Sequence, residues 1–267
     1  MIKQTHRSHA ALLAAMLVGA LMSLPQVSLA ARASGASGQD NSASNDAAAS
    51  RLNKSQFKDV KVAVDNGIAT LTGTVSLYEY KADAEKRVRK AKGVTATRNL
   101  IEVAGPTVPD AELEAKLQER LNYDRVGYDN VFNAIKVTVE NGVATLSGHA
   151  RTDPDKDSAM ALVATSPGVK DVIGEIEVDP VSMMDDQTRM AVARAVYGYP
   201  SLNKYSIDPA KPIRISVSNG NVELYGTVDT QADKDVAFLR ANGVSGVFSV
   251  KNYLLVANQP TEKPKQP

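Results

Sequence analysis

The chain of 267 residues contains no cysteine and no tryptophan, and only 5% of it is aromatic. Without thiols it forms no disulfides and offers no sulfur to carry an acyl anchor. Histidine is nearly as scarce: His6 and His9 fall near the N-terminus, which leaves His149 as the only imidazole further along. One His and no Cys cannot assemble the usual zinc sites or nucleophile–base pairs, so the residues argue against an enzyme. A strong charge of one sign is missing too. Lys and Arg number 31 against 30 Asp and Glu, which is not the basic footprint of a general nucleic-acid binder. Beyond the N-terminus no apolar run approaches the roughly 20 residues that a spanning helix needs.

The N-terminus itself has the layout of a secretory signal. Lys3 and Arg7 precede an uncharged, mainly apolar stretch over 10–24, followed by Pro25 and the small-x-small sequence Ser28-Leu29-Ala30. Cleavage after Ala30 is expected, with an uncleaved anchor as the alternative, and the mature chain is then periplasmic in a Gram-negative cell. Residues 31–45 are rich in Ala, Ser, Gly, Asn and Asp and read as a flexible leader. The proline-rich residues 258–267 read as a disordered tail.

Between these ends one unit occurs three times. KVAVDNGIATLTGTV begins at Lys61, KVTVENGVATLSGHA at Lys136 and RISVSNGNVELYGTV at Arg214, at offsets of 75 and then 78 residues. Each Asn-Gly pair (Asn66 and Gly67, Asn141 and Gly142, Asn219 and Gly220) is followed by a glycine six residues on, at Gly73, Gly148 and Gly226. A second glycine comes 20 residues later, at Gly93, Gly168 and Gly246, each before a valine; eight residues further stand IEV, IEV and LLV.

These spacings have a physical reading. An Asn-Gly pair between runs rich in Val, Ile and Thr suits a type I′ turn, whose two central residues take positive φ. Such a hairpin pairs Val64 with Ala69 and puts Val60, Val62, Val64, Ala69, Leu71 and Val75 on one apolar face. Gly73, Gly148 and Gly226 share that inward parity, which predicts a helix passing close above them. Capping-box patterns mark the helix after each hairpin, at Ser76 with Glu79, Thr152 with Asp155 and Thr230 with Asp233. Two more, Thr107 with Asp110 and Ser182 with Asp185, mark a helix before the hairpin, with Leu113, Leu117 and Leu121 as its stripe in copy two. Copy one has room only for a short version of that helix, or one starting inside the leader. Ile101, Ile176 and Leu254 point inward from a closing strand. The fold class is α+β, three tandem small modules each ordered helix-strand-strand-helix-strand, over 46–104, 107–180 and 182–257.

That order, with Val-x-Val, Asn-Gly, Leu-x-Gly and a later Gly-Val before the closing strand, resembles the BON domain, a family named for bacterial osmotically inducible periplasmic proteins and nodulation proteins. The resemblance covers nearly all of the chain outside its ends. Copy one departs in its abbreviated first helix and copy three in a longer loop over 198–212. The resemblance implies two helices on one face of a three-stranded sheet. It also implies an envelope protein that binds phospholipid surfaces, supports envelope integrity or behaves as a chaperone under stress.

The copies differ in charge. Residues 51–105 hold 11 basic and 6 acidic side chains, 106–182 hold 7 and 14, and 183–257 hold 8 and 7. Six of the cations in copy one, Lys81, Lys86, Arg87, Arg89, Lys90 and Lys92, fall on its second helix by this reading, giving it a basic outer face that attracts anionic headgroups. A solvated face, or docking against acidic copy two, is the plainer explanation. Other motifs are explained by the fold. His149 stands where the other copies have Thr74 and Thr227, on an exposed strand position. Asp153, Asp155 and Asp157 lack the glycine and terminal glutamate of a calcium loop, and Asp155 serves as a cap. No phosphate or dinucleotide fingerprint follows the Asn-Gly turns, so neither a cofactor nor a small-molecule substrate is implied. The expected partners are an anionic phospholipid surface and, alternatively, envelope proteins received on strand faces bearing Thr, Tyr225 and Glu223.

Overall fold

The computed structural model describes residues 36–125, 130–208 and 210–257; the expected signal and tail lie outside them. Each module is an α+β unit. In the first, helix α1 (Ala36–Ala49) precedes β1 (Val60–Asp65), β2 (Ile68–Val75), α2 (Tyr78–Val88) and β3 (Ala96–Val103). The second repeats the order with α3 (Asp110–Tyr123), β4 (Ala134–Glu140), β5 (Val143–Ala150), α4 (Asp153–Ala164) and β6 (Asp171–Val178). The third has α5 (Met183–Tyr197), β7 (Arg214–Ser218), β8 (Asn221–Tyr225), β9 (Thr227–Val228), α6 (Gln231–Asn242), β10 (Ser249–Asn252) and β11 (Leu255–Val256). The middle strand of each sheet pairs antiparallel with the one before it and parallel with the one after the helix.

The hairpins form as their sequence predicts. Asn66, Asn141 and Asn219 have φ near +50° and the glycines after them φ between +73° and +80°, the signature of a type I′ turn. Val64 pairs with Ala69. Inward parity then places Leu71, Leu146 and Leu224 at equivalent core positions, each 0% exposed, where one such side chain contributes about 1.5–3 kcal/mol of burial. Helices supply the lid of each core: Ala48, Ala84 and Val88 in the first, Leu113, Leu117, Ala159 and Val163 in the second.

Several expectations need correcting. No helix presses on Gly73 or Gly148. Their φ values are +111° and +100°, and a Cβ there would run into the carbonyl oxygen of Asp59, just ahead of β1, or of Ala134 in β4, so the backbone of the hairpin itself requires glycine. The close helix lies instead at the second glycine, where a Cβ would meet Ser44 at Gly93, Leu113 together with Val108 just ahead of α3 at Gly168, and Thr188 at Gly246. Residues 36–45 are not a loose leader; they belong to α1, held where Asn45 accepts a hydrogen bond from Val64 N at 2.7 Å and Ala48 is buried in the first core. Thr152, Ser182 and Thr230 cap their helices, each accepting from the backbone N–H three residues on. Ser76 and Thr107 do not: α2 begins after Leu77 and α3 after Pro109, neither with a side-chain cap.

Asp110 and Asp185 share a task at the hairpin turns, whether or not their helix has a side-chain cap. The Asp110 carboxylate accepts from Asn141 N at 2.6 Å and Gly142 N at 2.9 Å, while Asp185 accepts from Asn219 N at 2.9 Å and Gly220 N at 2.8 Å. The first turn of the leading helix thereby clamps the hairpin turn, satisfying two donors that a tight turn leaves unpaired.

Candidate functional site

The basic cluster of module one divides once its geometry is known. Helix α2 turns Ala84 and Val88 into the core and ends at Val88, so Arg89, Lys90 and Lys92 stand in the turn beyond it rather than on the helix. Three of the six cations are in ion pairs. Lys81 lies 3.7 Å from Asp171 of module two. Arg87 pairs with Asp83 at 2.8 Å, its guanidinium 5.7 Å from the Phe57 ring. Arg89 is exposed but pairs with Glu85 at 2.5 Å. Burial alone would raise the Glu85 carboxyl; hydrogen bonds from Asn99, Thr97 and Arg89 outweigh it and hold the group below the usual range. Lys86, Lys90 and Lys92 are exposed. Arg51, which helical spacing did not point to, joins them by donating to Lys90 O at 3.3 Å; with Asp83, Lys86, Arg87 and Lys90 it lines a shallow cavity of about 320 Å³. Cations from two distant stretches of chain thus meet at one end of the module.

The other residues singled out lie elsewhere. Asp155 is buried at the start of α4, bonded to Thr152, whereas Asp153 and Asp157 are exposed. His149 is not a solvent-facing strand residue: only 26% of its side chain is exposed, because module three packs over it. Its Nδ1 lies 3.6 Å from Asp179 and its Nε2 3.5 Å from Glu223. The Asp179 carboxylate beside it raises the imidazole pKa despite partial burial, with Glu223 and Glu177 adding to the effect. Glu223 and Tyr225 are engaged as well: Glu223 pairs with Lys251 at 2.9 Å and accepts from the Tyr225 hydroxyl, and Tyr225 stacks on Tyr253 with ring centroids 5.1 Å apart.

Behind His149 lies a buried network that the sequence did not announce. Arg189, with 3% of its side chain exposed, donates to Asp179 at 2.9 Å and to Val217 O at 2.9 Å, and also pairs with Asp186. Ser216 donates to the same Asp179 at 3.0 Å. Burial would raise the Asp179 carboxyl, but His149, Ser216 and Arg189 around it keep it ionised below its ordinary range. Phe132 of module two, in the short turn Asn130–Phe132, enters the apolar core of module three.

Large apolar side chains stay exposed around the hairpin turn of module three. Phe248 is 82% exposed, with its ring beside Gly220, and Met183 and Met184 are 82% and 70% exposed at the start of α5, next to the Asp185 that clamps that turn. The residues in the place of Phe248 are Thr95 and Lys170, as the matching hydrogen bonds to Gly67, Gly142 and Gly220 show. Among the described residues no helix is long and apolar enough to cross a membrane.

Comparison with known proteins places these features. The family model of the BON domain matches residues 42–105, 109–180 and 189–258. Osmotically-inducible protein Y of Escherichia coli (strain K12) is 30% identical over 162 residues, which span 56% of this chain and 74% of that protein. Among solved structures, CdsD, a structural protein of the type III secretion system of Chlamydia trachomatis, overlaps 79% of this chain and 90% of its own at 16% identity and a TM-score of 0.24. The C-terminal domain of CdsD overlaps 75% and 91% at 15% identity and a TM-score of 0.22.

Proposed function

The chain belongs to the BON domain family, and from that premise we propose that it is a non-catalytic, periplasmic envelope protein that docks on anionic phospholipid through the basic end of module one and supports stress tolerance there. One observation carries the reading: Arg51, Lys86, Arg89, Lys90 and Lys92 are all exposed at that end, and only Arg89 among them is in an ion pair among the described residues. Each cation near an anionic surface adds about 1 kcal/mol. The E. coli relative is named as osmotically inducible, which supports the stress-related part.

Co-sedimentation of the mature chain with vesicles tests the proposal. Binding should be stronger to anionic than to neutral vesicles and should weaken with salt. The triple change Lys86→Glu, Arg89→Glu and Lys90→Glu should lower it by roughly a hundredfold or more, given about 1 kcal/mol per cation. Equal binding to neutral vesicles, or an unaffected triple variant, overturns the reading.

A second reading, a protein-interaction or chaperone-like role, is favoured by the exposed Phe248, Met183 and Met184. It moves the candidate surface from the strand faces, where Glu223 and Tyr225 are occupied, to the turn end of module three. Suppression of client aggregation without lipid, lost in Phe248→Ser, is its expected signature. No suppression at several-fold excess over client removes it.

A further inference from the structure

The segment between leading helix and hairpin is longer in module three than in the others, and it builds a cleft. After α5 the chain runs through 198–212, with the short turn Asn203–Ser206, before entering β7. Between this segment, the bulge at Gly226 and the end of α3 lies a cavity of about 570 Å³, lined by Lys204, Lys211, Arg214, Thr227 and Asn122, with Asp208 and Asp229 on its wall. That volume is in the range of small-molecule sites.

The charges of the lining do not match. Lys204 bridges Asp229 at 2.7 Å and Asp233 at 3.0 Å, and Lys211 lies 4.0 Å from Asp208. Each wall carboxylate therefore has a lysine. Among the described residues Arg214 has no carboxylate partner: its partly buried guanidinium donates through Nη2 to two neutral acceptors, Asn122 Oδ1 at 2.9 Å and Ala210 O at 3.2 Å. Burial lowers its pKa, offset only by Tyr197, yet a guanidinium does not give up its proton in a protein. A retained charge without a counter-ion is unfavourable unless something anionic supplies one.

We propose that this cleft binds a phosphate group, with Arg214 as the anchor and Lys211 and the exposed Thr227 hydroxyl as further donors. Guanidinium suits an oxyanion because its N–H groups give charge-assisted hydrogen bonds; Nη2 is spent on Asn122 and Ala210, and Nε and Nη1, which lie on different edges of the plane, are the donors not already bonded to protein among the described residues, each able to give one such bond. The cavity exceeds the size of the anion alone, leaving room for the small alcohol of a phosphate ester. Such a group could be a free ester or the headgroup of a lipid. The site uses none of the cations at the basic end of module one, so the two proposals stand or fall separately.

The experiment titrates the full mature chain with inorganic phosphate and with glycerol phosphate at constant ionic strength, with chloride as the balancing anion. It follows the backbone amides of Gly226 and Thr227 and the Arg214 Nε–H by NMR. The expected result is a saturable shift that chloride does not produce, weakened at least tenfold in Arg214→Gln and in Thr227→Trp, which fills the mouth from an exposed position and serves if the first variant does not fold. Lys86→Glu with Lys90→Glu should leave the titration unchanged. Vesicle binding of Arg214→Gln in that same background identifies the source: a further loss points to a headgroup, an unchanged value to a free ester. A non-saturating shift, one matched by chloride, or one retained in both cleft variants overturns the proposal.

Discussion

The two junctions between modules are made of different materials. Modules one and two meet through Lys81 and Asp171, 3.7 Å apart with 21% and 47% of their side chains exposed, and through Tyr78, which leans on the second core. Modules two and three share the buried Arg189–Asp179 pair, Ser216, half-buried His149, the Arg214–Asn122 hydrogen bond and Phe132 inside the third core. Repeat equivalence explains the contrast. Ala104 N bonds Val75 O as Asp179 N bonds Ala150 O, so an alanine stands in the first junction where the second has its central carboxylate. By the same alignment Glu114, which accepts from Val139 N, stands for Arg189, which donates to Val217 O, and Thr74 stands for His149. One fold repeated three times thus yields one open joint and one fused joint, and modules two and three are expected to unfold as a unit while module one opens separately.

The largest effect should come from Asp179→Ala. It removes the buried counter-ion of the Arg189 guanidinium, which is 3% exposed and keeps only the half-exposed Asp186 as a charged partner, and removing one partner of a buried pair costs about 3–5 kcal/mol. Hydrogen exchange should show protection falling together in the cores of modules two and three while module one keeps its own. Protection lost in module three alone would break the fused-joint account. Phe132→Ala comes next, at about 3 kcal/mol for emptying a mostly buried phenyl site. Although the residue belongs to module two, urea unfolding should show module three losing at least as much stability.

The sequence carried the modules but not their joints. The Asn-Gly turns, the strand register and the inward leucines are local or periodic features, so spacing alone exposed them. The first helix of copy one starts inside the leader, one of the two alternatives its spacing allowed; its Ala/Ser composition has no apolar stripe to choose between them, and Asn45 and Ser44 fix it next to distant Val64 and Gly93. Gly73 was read by face parity, whereas positive φ and the carbonyl of Asp59 determine it. Half of the basic cluster fell past the helix end, and Arg51 reached it only through the fold. The fused joint is marked in the sequence only by comparing copies: at equivalent positions Ala104 becomes Asp179 and Glu114 becomes Arg189, a paired change of charge at two otherwise ordinary sites.

Titration sharpens the comparison at smaller magnitude. His149 faces Asp179 and Glu223, with Glu177 nearby on its own sheet and Tyr225 beside its ring, and its pKa is raised above 6.5. A raised folded-state pKa contributes stability that is fully present below the unfolded value and lost as pH rises through the folded one. Asp179 has the opposite sign: its pKa is lowered, so its contribution is present above 3.8 and lost as pH falls through the folded value. The fused joint is therefore tightest between those limits and relaxes on the alkaline side first by His149. His149→Gln should flatten the alkaline limb of stability against pH for modules two and three. An unchanged limb would separate His149 from the joint.

The smallest effect belongs to the open joint. Lys81→Ala removes an ion pair whose acidic partner is nearly half exposed and whose separation of 3.7 Å exceeds hydrogen-bond length. Pairs of that kind are worth up to about 1 kcal/mol and are screened by salt, so the change should cost less than that in dilute buffer and nearly nothing at high ionic strength. Tyr78 stays in place against the second core, where burial first and Asp171 next raise its pKa. Small-angle scattering of Lys81→Ala should widen the distribution of distances between module one and the rest without altering the fused pair. A loss of stability as large as that of Asp179→Ala would mean that the first joint is as closed as the second, and the distinction drawn from Ala104 and Glu114 would fail.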